Sequence, residues 1–369
     1  MIDHERYSRQ LVLKGFGAIA QNKLINSSIL VVGAGGLGCP IIQYLAAAGI
    51  GTIGIVDNDT ISLSNLHRQI LFTSEDLGQP KVKVAAERLR LMNPEISIVE
   101  HPFRLNKGNI FSVIEHYDIV IDGTDNFDSR YLINDACAFL QKPLIFAAVS
   151  GFEGQLAIFN VKDKNNIATN YRDIFPIPPA PGEIQNCAEN GILGVLPGII
   201  GTMAAAEAIK LIAGVGQPLI NTLLHYNLLN QTQYTLNISV GNDYVLPKSK
   251  ADFLLMEDNQ SHFIAPAYEE IDLTQMLLLR KQDLALLIDV REKHEFPILD
   301  QDVFLQVPMS EFNTFMQNNI DAESIVLLCQ HGIRSVAAAE LLQEKYGDKK
   351  KIYSLKGGIA KWRNHFLKR

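Results

Sequence analysis

Cysteine is scarce in this 369-residue chain: Cys39, Cys137, Cys187 and Cys329 are the only four. They lie far apart and form no CxxC pair, so neither a disulfide framework nor a zinc ribbon is indicated. In a reducing compartment such isolated cysteines are core filler or reactive thiols. Basic charge is also short, with 33 Lys and Arg against 40 Asp and Glu and a formal net charge of -7. That balance argues against bulk binding to nucleic acid or an anionic membrane, though not against a small basic pocket. No uninterrupted apolar run approaches the ~20 residues of a membrane span. The longest stretch, GILGVLPGIIGTMAAA, is broken by Pro197 and several glycines and soon meets Glu207 and Lys210, so a buried core helix is expected. The N-terminal MIDHERYSRQ lacks the apolar segment of a secretory signal, and a cytoplasmic protein is the expectation. Internal repeats and low-complexity tracts are absent.

One hydrophobic core rarely organises more than about 250–300 residues, so a chain of this length points to two domains. It is 47% apolar and 20% charged, enough for large cores and against wholesale disorder. Residues 29–160 alternate strand-like runs (Ile29–Val32, Thr52–Asp57, Ile96–Glu100, Asp118–Asp122, Leu144–Ala148) with helical runs (Pro40–Ala48, Lys81–Met92, Asn106–Ile114, Ser129–Leu140). That order predicts a parallel sheet with helices on both faces. Residues 154–160 and 223–239 read as further strands, the antiparallel part of a mixed sheet. Between them FPIPPAPGEIQNC places four prolines within Pro176–Gly182, which predicts a long crossing loop. A second α/β unit has strands at Leu284–Val290, Ser324–Cys329 and Lys351–Leu355 and helices at Ser335–Glu344 and Ile359–Phe366. The expected division is 1–240, a linker at 241–267, and 268–369.

The stretch ILVVGAGGLG runs an apolar strand into Gly33-x-Gly35-x-x-Gly38. Glycines there let backbone amides approach a ligand, and the following helix N-terminus favours anionic groups. Asp57 stands 19 residues after Gly38, where a carboxylate accepts a ribose hydroxyl. NAD and ATP are both allowed to this point. The run VDNDTISLSNLHRQ then adds Asp59, Asn65, Arg68 and Gln69; GQPK puts Lys81 at a helix start; DGTDNFDSR puts Asp122, Asp125 and Asn126 after another strand. A triphosphate under attack needs cations to offset developing charge and a carboxylate for Mg²⁺, whereas hydride transfer needs neither. A side chain at Gly36 is expected to crowd the nucleotide.

RYSRQ at Arg6–Gln10, the VVGAGGLG loop, the DNDTISLSNLHRQ run, GQPK and DGTDN together resemble the ubiquitin-activating-enzyme-like (MoeB/ThiF/HesA) adenylyltransferases of sulfur-carrier proteins, over about residues 5–240. The resemblance implies a Rossmann-like mixed-sheet adenylation domain with ATP on Gly33, Gly35, Gly36, Gly38, Asp57, Asp59, Asn65, Arg68, Gln69, Lys81, Asp125 and Asn126, and Mg²⁺ on Asp125. It further implies a homodimer in which Arg9 reaches the partner subunit's ATP. The implied substrate is the C-terminal glycine of a small ubiquitin-like carrier, whose carboxylate attacks the α-phosphorus to give an acyl-adenylate and pyrophosphate. Many relatives hold zinc on two CxxC pairs. The corresponding places here read Asn170-Tyr171-Arg172-Asp173 and VGNDYVL, so no zinc is expected and packing alone is left to hold that region. Cys187 matches a crossover-loop cysteine, implied either as a thiol that attacks the activated tail or as an inert loop residue; Cys39 and Cys137 read as small core residues.

In SIVLLCQHGIRSVAAAELLQ a strand ends at Cys329 and a helix begins near Ser335. This sets the thiol against backbone amides and a positive helix end, which stabilises a thiolate or persulfide, and Arg334 adds positive charge. With LLIDVRE, VPMSEF and GGIAKW, this loop (Cys329, Gln330, His331, Gly332, Ile333, Arg334, Ser335) makes residues 268–369 resemble rhodanese sulfurtransferases, and its six residues from Cys329 to Arg334 match sulfane-sulfur transfer. A glycine-containing turn usual before the VPMS position is replaced by FPILDQDVFLQ, and Arg291 reads as structural or pocket-forming. The expectation is a smaller α/β rhodanese domain fused to the adenylation domain. Cys329, loaded by a cysteine desulfurase or thiosulfate, attacks the acyl-adenylate on the way to a carrier thiocarboxylate in a molybdopterin, thiamine or thiolation pathway. The rival readings are adenylation with the rhodanese unit as a docking module, a non-catalytic scaffold, and an NAD-dependent oxidoreductase.

Overall fold

A computed structural model describes residues 2–179, 191–241, 244, 246–255, 268–281, 285–293, 295–330 and 332–366. The chain falls into two compact units, each described by itself. In the first, β1 (Ser28–Val32), β2 (Thr52–Val56), β3 (Ser97–His101), β4 (Ile119–Asp122), β5 (Leu144–Ser150), β6 (Glu153–Phe159), β7 (Thr222–Asn227) and β8 (Thr232–Asn237) form one sheet in the order β3-β2-β1-β4-β5-β6-β7-β8. Pairing is parallel from β3 through β5 and antiparallel beyond. The stretch 223–239, read as strand throughout, is a hairpin whose turn includes Gln231 at φ 52°.

Both faces of the parallel part are covered, as such sheets require. Along β1 the side chains alternate. Ile29 and Val31 join the core beneath the helices Gly38–Ala48, Lys81–Met92 and Val195–Ala213; Leu30 and Val32 join the core beneath Ile110–Ile114 and Phe127–Leu140. Val195–Ala213 is the one helix among the described residues long and apolar enough to cross a membrane. Its Leu196, Ile200, Ala204, Ala205 and Ala208 are instead buried in the first core, as the sequence led us to expect. Gly201 lets it approach closely: a Cβ there would lie 2.5 Å from the Leu37 carbonyl oxygen. The chain runs β1, β2, β3 toward one edge and then crosses to place β4 on the other side of β1. The gap between β1 and β4 is therefore the switch point at which open α/β sheets receive ligands.

The two places matching the zinc pairs are joined by hydrogen bonds rather than by packing alone, which corrects the sequence reading. Asp173 Oδ1 accepts from the Gly241 amide (2.6 Å) and the Tyr244 hydroxyl (2.8 Å), while its Oδ2 accepts from the Asn170 amide (2.7 Å). Asn170 also donates to the Tyr244 hydroxyl oxygen. Burial, and then the bond to Asp173, pushes the Tyr244 hydroxyl up to about 12. Next to this clasp Arg172 forms a bidentate pair with Asp135 (2.7 and 2.8 Å) and stacks on Tyr131. The stretch read as linker also contains the helix Lys250–Leu255, whose Phe253 is buried with its ring centroid 4.6 Å from that of Phe111.

The second unit has β9 (Glu269–Ile271), β10 (Leu286–Asp289), β11 (Leu305–Gln306), β12 (Ser324–Leu328) and β13 (Lys351–Leu355) in the order β11-β10-β12-β13-β9, all parallel. Ile325 and Leu327 face one core, Val326 and Leu328 the other. The strands β9 and β11 and the helices Leu273–Lys281 and Met309–Phe315 were not foreseen; two or three residues are too few to show a period of two. The FPILDQDVFLQ segment makes its own turn: Asp300 accepts from the amides of Val303 and Phe304, and the Pro297 carbonyl accepts from Arg291 at 2.7 Å.

The clasp predicts that Tyr244→Phe lowers unfolding free energy by about 1 kcal/mol, the usual net worth of a lost hydrogen bond, in chemical denaturation. Treatment with a strong chelator should leave the melting temperature unchanged.

Candidate active sites

The first site forms where the turn after β1 meets the turn after β4. Gly33 takes φ 97°, and a Cβ on it would lie 2.9 Å from the Gly123 carbonyl oxygen. Gly38 opens the next helix so close to Gly33 that a Cβ would sit 1.9 Å from the Gly33 oxygen. Gly35 is different, since a Cβ there would meet only Gln69 Nε2, at 3.8 Å, and it borders open space. At Gly36 a Cβ would lie 3.1 Å from Pro197 and 3.4 Å from Arg68.

Asp57 is held on both oxygens, by the Ala34 amide of the glycine turn and the Asp59 amide, each at 2.8 Å. Burial, opposed by Lys81 and those amides, raises its carboxyl above the ordinary range. Lys81 is buried at the start of its helix, with Nζ 2.9 Å from Asp59 Oδ2 and 3.9 Å from Asp57 Oδ2. Asp59 is exposed. Arg68 is half-buried and donates to the Ser64 carbonyl (3.0 Å), and its Nη1 lies 2.8 Å from His67 Nε2. Burial and then the neighbouring Arg68 push the His67 imidazole below its ordinary value. Asn65 Oδ1 caps the Ser62 amide at 3.3 Å. Gln69 is buried, and its Oε1 has no hydrogen-bond partner. An unpaired buried carbonyl is costly, so this acceptor, on the side chain whose Nε2 borders Gly35, fits a site that receives a donor from a ligand.

Asp125 is exposed on the turn after β4. Asn126 is occupied in capping the next helix through the Ser129 amide at 2.9 Å. Asp122, already singled out at the strand end, and Arg130, not foreseen from sequence, set this turn. The carboxylate of buried Asp122 accepts from the Thr124 amide (2.9 Å) and hydroxyl (2.6 Å), and Arg130 reaches both Asp122 (3.4 Å) and the Thr124 carbonyl (3.1 Å). The guanidinium of Arg130 lies over the Phe146 ring at 4.9 Å. The signal for Arg130 was its place one turn into the helix after DGTDN, where a cation can reach back to the strand end. Arg9 is exposed on the short helix Ser8–Leu11. Groups of three or more His, Cys, Asp or Glu able to hold a metal by themselves do not occur among the described residues.

The second site surrounds Cys329, which is buried at the end of β12. Its Sγ accepts the Gly332 amide at 3.1 Å and lies 3.6 Å from the Ser335 hydroxyl. Ser335 is fixed by the Gly332 carbonyl (3.1 Å) and the Ser354 hydroxyl (2.9 Å). The loop is clamped by the GGIAKW segment: Ile359 and Ala360 amides donate to the Cys329 and Gln330 carbonyls at 2.9 and 2.8 Å. A Cβ on Gly358 would lie 2.4 Å from the Cys329 oxygen, so the glycine pair gives the loop its floor. The helix Ile333–Tyr346 starts on this loop with Gly332 at φ 94°. Arg334 departs from expectation, because it forms a bidentate pair with Glu295 at 2.5 and 2.8 Å. Arg291 is wholly buried against Asp289 (2.8 Å), with Nη1 3.4 Å from Gln330 Oε1 of the loop. His331 and Cys187 lie outside the described residues. Cys39 and Cys137 are fully buried in the first unit's cores, and burial pushes both thiols up, Cys39 to about 12.

Comparison with known proteins matches residues 7–244 to the ThiF family and residues 272–365 to the rhodanese-like domain. A sulfur carrier protein adenylyltransferase of Thermus thermophilus is 45% identical over 63% of this chain and 87% of its own length. The adenylyltransferase and sulfurtransferase MOCS3-1 of Zea mays is 37% identical over 97% of this chain and 81% of its own. A probable adenylyltransferase/sulfurtransferase MoeZ of Mycobacterium tuberculosis is 36% identical over 97% and 92%. Among solved structures, E. coli MccB with ATP shares the fold of the first unit, with a TM-score of 0.54 and 24% identity over 65% of this chain and 74% of that one. Residues 7–244 and 272–365 are thus each accounted for by a described family, and the chain belongs to the ThiF family with a rhodanese-like domain following.

Proposed function

We propose that the chain uses ATP to adenylate the C-terminal glycine of a small ubiquitin-like sulfur-carrier protein and then transfers persulfide sulfur from Cys329 to the activated carboxylate. The observation that carries this reading is the meeting of the glycine turn with the Asp125 turn at the β1–β4 switch point, beside buried Lys81 and the unpartnered Gln69 carbonyl. Relatives named as both adenylyltransferase and sulfurtransferase over nearly the whole chain support it.

In the first step the carrier carboxylate attacks the α-phosphorus, and the bond to the β-phosphate oxygen breaks to give acyl-adenylate and pyrophosphate. Arg68 and Lys81 offset the developing charge, Asp57 with Asp59 takes the ribose side, and Gly35 leaves the backbone open to the phosphates. Asp125 would hold Mg²⁺, which neutralises phosphate charge; one or two carboxylates with phosphate oxygens suffice for that ion. Cys329 persulfide then attacks the acyl carbon and displaces AMP. A second thiol attacks the resulting acyl disulfide at the Cys329 sulfur, releasing the thiocarboxylate and leaving a disulfide that an external thiol reduces; Cys187 is the candidate. Fusion of the two activities raises the concentration of persulfide near the adenylate. The reading extends to a homodimer with exposed Arg9 at the partner subunit's nucleotide, to a cysteine desulfurase or thiosulfate as donor, and to the cytoplasm.

Carrier-dependent ATP–pyrophosphate exchange tests the first step: wild type exchanges, and Asp125→Ala loses at least about a hundredfold, as expected for removing a group that offsets transition-state charge. No exchange with any candidate carrier contradicts the reading. Cys329→Ser should keep exchange and lose thiosulfate-to-cyanide transfer; transfer that survives places the persulfide elsewhere. Gly38→Ala, which forces a Cβ onto the Gly33 oxygen, should cost about 1–3 kcal/mol in thermal unfolding, as overpacking does. Gly35→Ala should melt like wild type and bind ATP more weakly by calorimetry.

A further inference from the structure

Among the described residues, the two guanidiniums at the Cys329 loop, Arg334 and Arg291, each pair with a carboxylate. Arg334, in the first turn of the helix behind the loop, has a side chain only 11% exposed and meets Glu295, 22% exposed, through two parallel contacts. Burial pushes the Glu295 carboxyl up, but the bonds from Arg334 and the Glu292 amide, with the charges of Arg334 and Arg291, together hold the group below its ordinary range. Arg291, the other guanidinium reaching the loop, carries Asp289. Each of these two guanidiniums thus faces a carboxylate, and among the described residues Sγ accepts from the neutral Gly332 amide and donates to the neutral Ser335 hydroxyl. Fork-to-fork pairs of this kind are strong and fix the guanidinium in one direction. Such an arrangement suits a single negative charge on sulfur, held by aligned amides, and offers little to a second charge on the incoming donor.

We infer that Glu295 is a specificity residue for the sulfur donor: by pairing with Arg334 it withholds the charge that would draw small dianionic donors to Cys329. The inference rests on the sulfur-transfer reading of Cys329. Loading proceeds by attack of the Cys329 thiolate on the outer sulfur of the donor. The donor's bond to that sulfur breaks, the departing group keeps the electron pair, and Cys329 ends as a persulfide anion. From thiosulfate the departing group is sulfite, a dianion; from methanethiosulfonate it is methanesulfinate, a monoanion. The chemistry is the same in both cases and only one unit of donor charge differs, so the ratio of kcat/KM for the two donors reads the charge of the pocket. Removing the Glu295 charge leaves Arg334 to attract the dianion more than the monoanion, because the attraction scales with the product of charges.

The test uses the full chain with Glu295→Gln. Glutamine keeps an oxygen to accept the Glu292 amide, which Glu295 Oε1 accepts at 2.8 Å. The expected result is a thiosulfate-to-methanethiosulfonate kcat/KM ratio about tenfold higher than wild type, carried by KM rather than kcat. Glu295→Asp, which restores the charge, should return most of the wild-type ratio. In an Arg334→Gln background Glu295→Gln should leave the ratio unchanged, which a merely structural role for Glu295 would not produce. A ratio within about twofold of wild type in Glu295→Gln, with Cys329 still gaining one sulfur by mass spectrometry, overturns the role of Glu295. If neither donor adds sulfur to Cys329 in any of the proteins, the sulfur-transfer reading falls and takes this inference with it.

Discussion

The turn from Gly33 to Gly38 admits no side chain at either end, and the first site depends on that constraint. A Cβ at Gly38 would occupy the Gly33 carbonyl, and one at Gly33 would press on Gly123. Because the backbone closes on itself there, the helix that follows starts beside the end of β1, and the turn after β4 packs against it. The amides that would face phosphate are positioned by sterics before any charge is considered. The Cys329 loop obeys the same rule with different chemistry. Gly358 underlies the loop without room for a Cβ, Gly332 adopts a left-handed conformation, and the thiol meets an amide at a helix start. Each unit thus offers an anion a strand-to-helix turn in which glycine makes backbone donors available.

Charge is handled in the two sites by pairing. Lys81 with Asp59, Arg130 with Asp122, Arg291 with Asp289 and Arg334 with Glu295 are all at least partly buried cations that carry a carboxylate. Burying a lone charge costs several kcal/mol, and a partner makes the cation tolerable without making the pair a large source of stability. The consequence differs by position. Asp122 and Arg130 spend their charges on the shape of the turn that presents Asp125. Lys81 pairs with an exposed Asp59. Glu295 pairs with Arg334, and the Cys329 sulfur meets the Gly332 amide.

The parts legible in the sequence were those in which spacing encodes backbone geometry. The alternation of runs through residue 160, the glycine turn and the cysteine loop all follow from steric and hydrogen-bonding needs that few residue types meet. Partnerships across the fold left no such trace. Asp173 with Tyr244, 71 residues apart, and Arg334 with Glu295, 39 apart, are ordinary surface-type residues until the chain folds. For the same reason the missing cysteines at residues 170–173 read as a lost clasp, when a polar one stands in that place. The nearness of Gly36 to Pro197 left no trace either, since Pro197 lies far along the chain on the helix Val195–Ala213.

The most direct measurement of the whole account is the mass of the carrier's C-terminus after incubation with this chain, ATP and a sulfur donor. The account predicts that one oxygen of the terminal carboxylate is replaced by sulfur, that this needs ATP, and that it is lost in both Asp125→Ala and Cys329→Ser. A carrier that remains a carboxylate under every condition, or that gains sulfur without ATP or without Cys329, would contradict it.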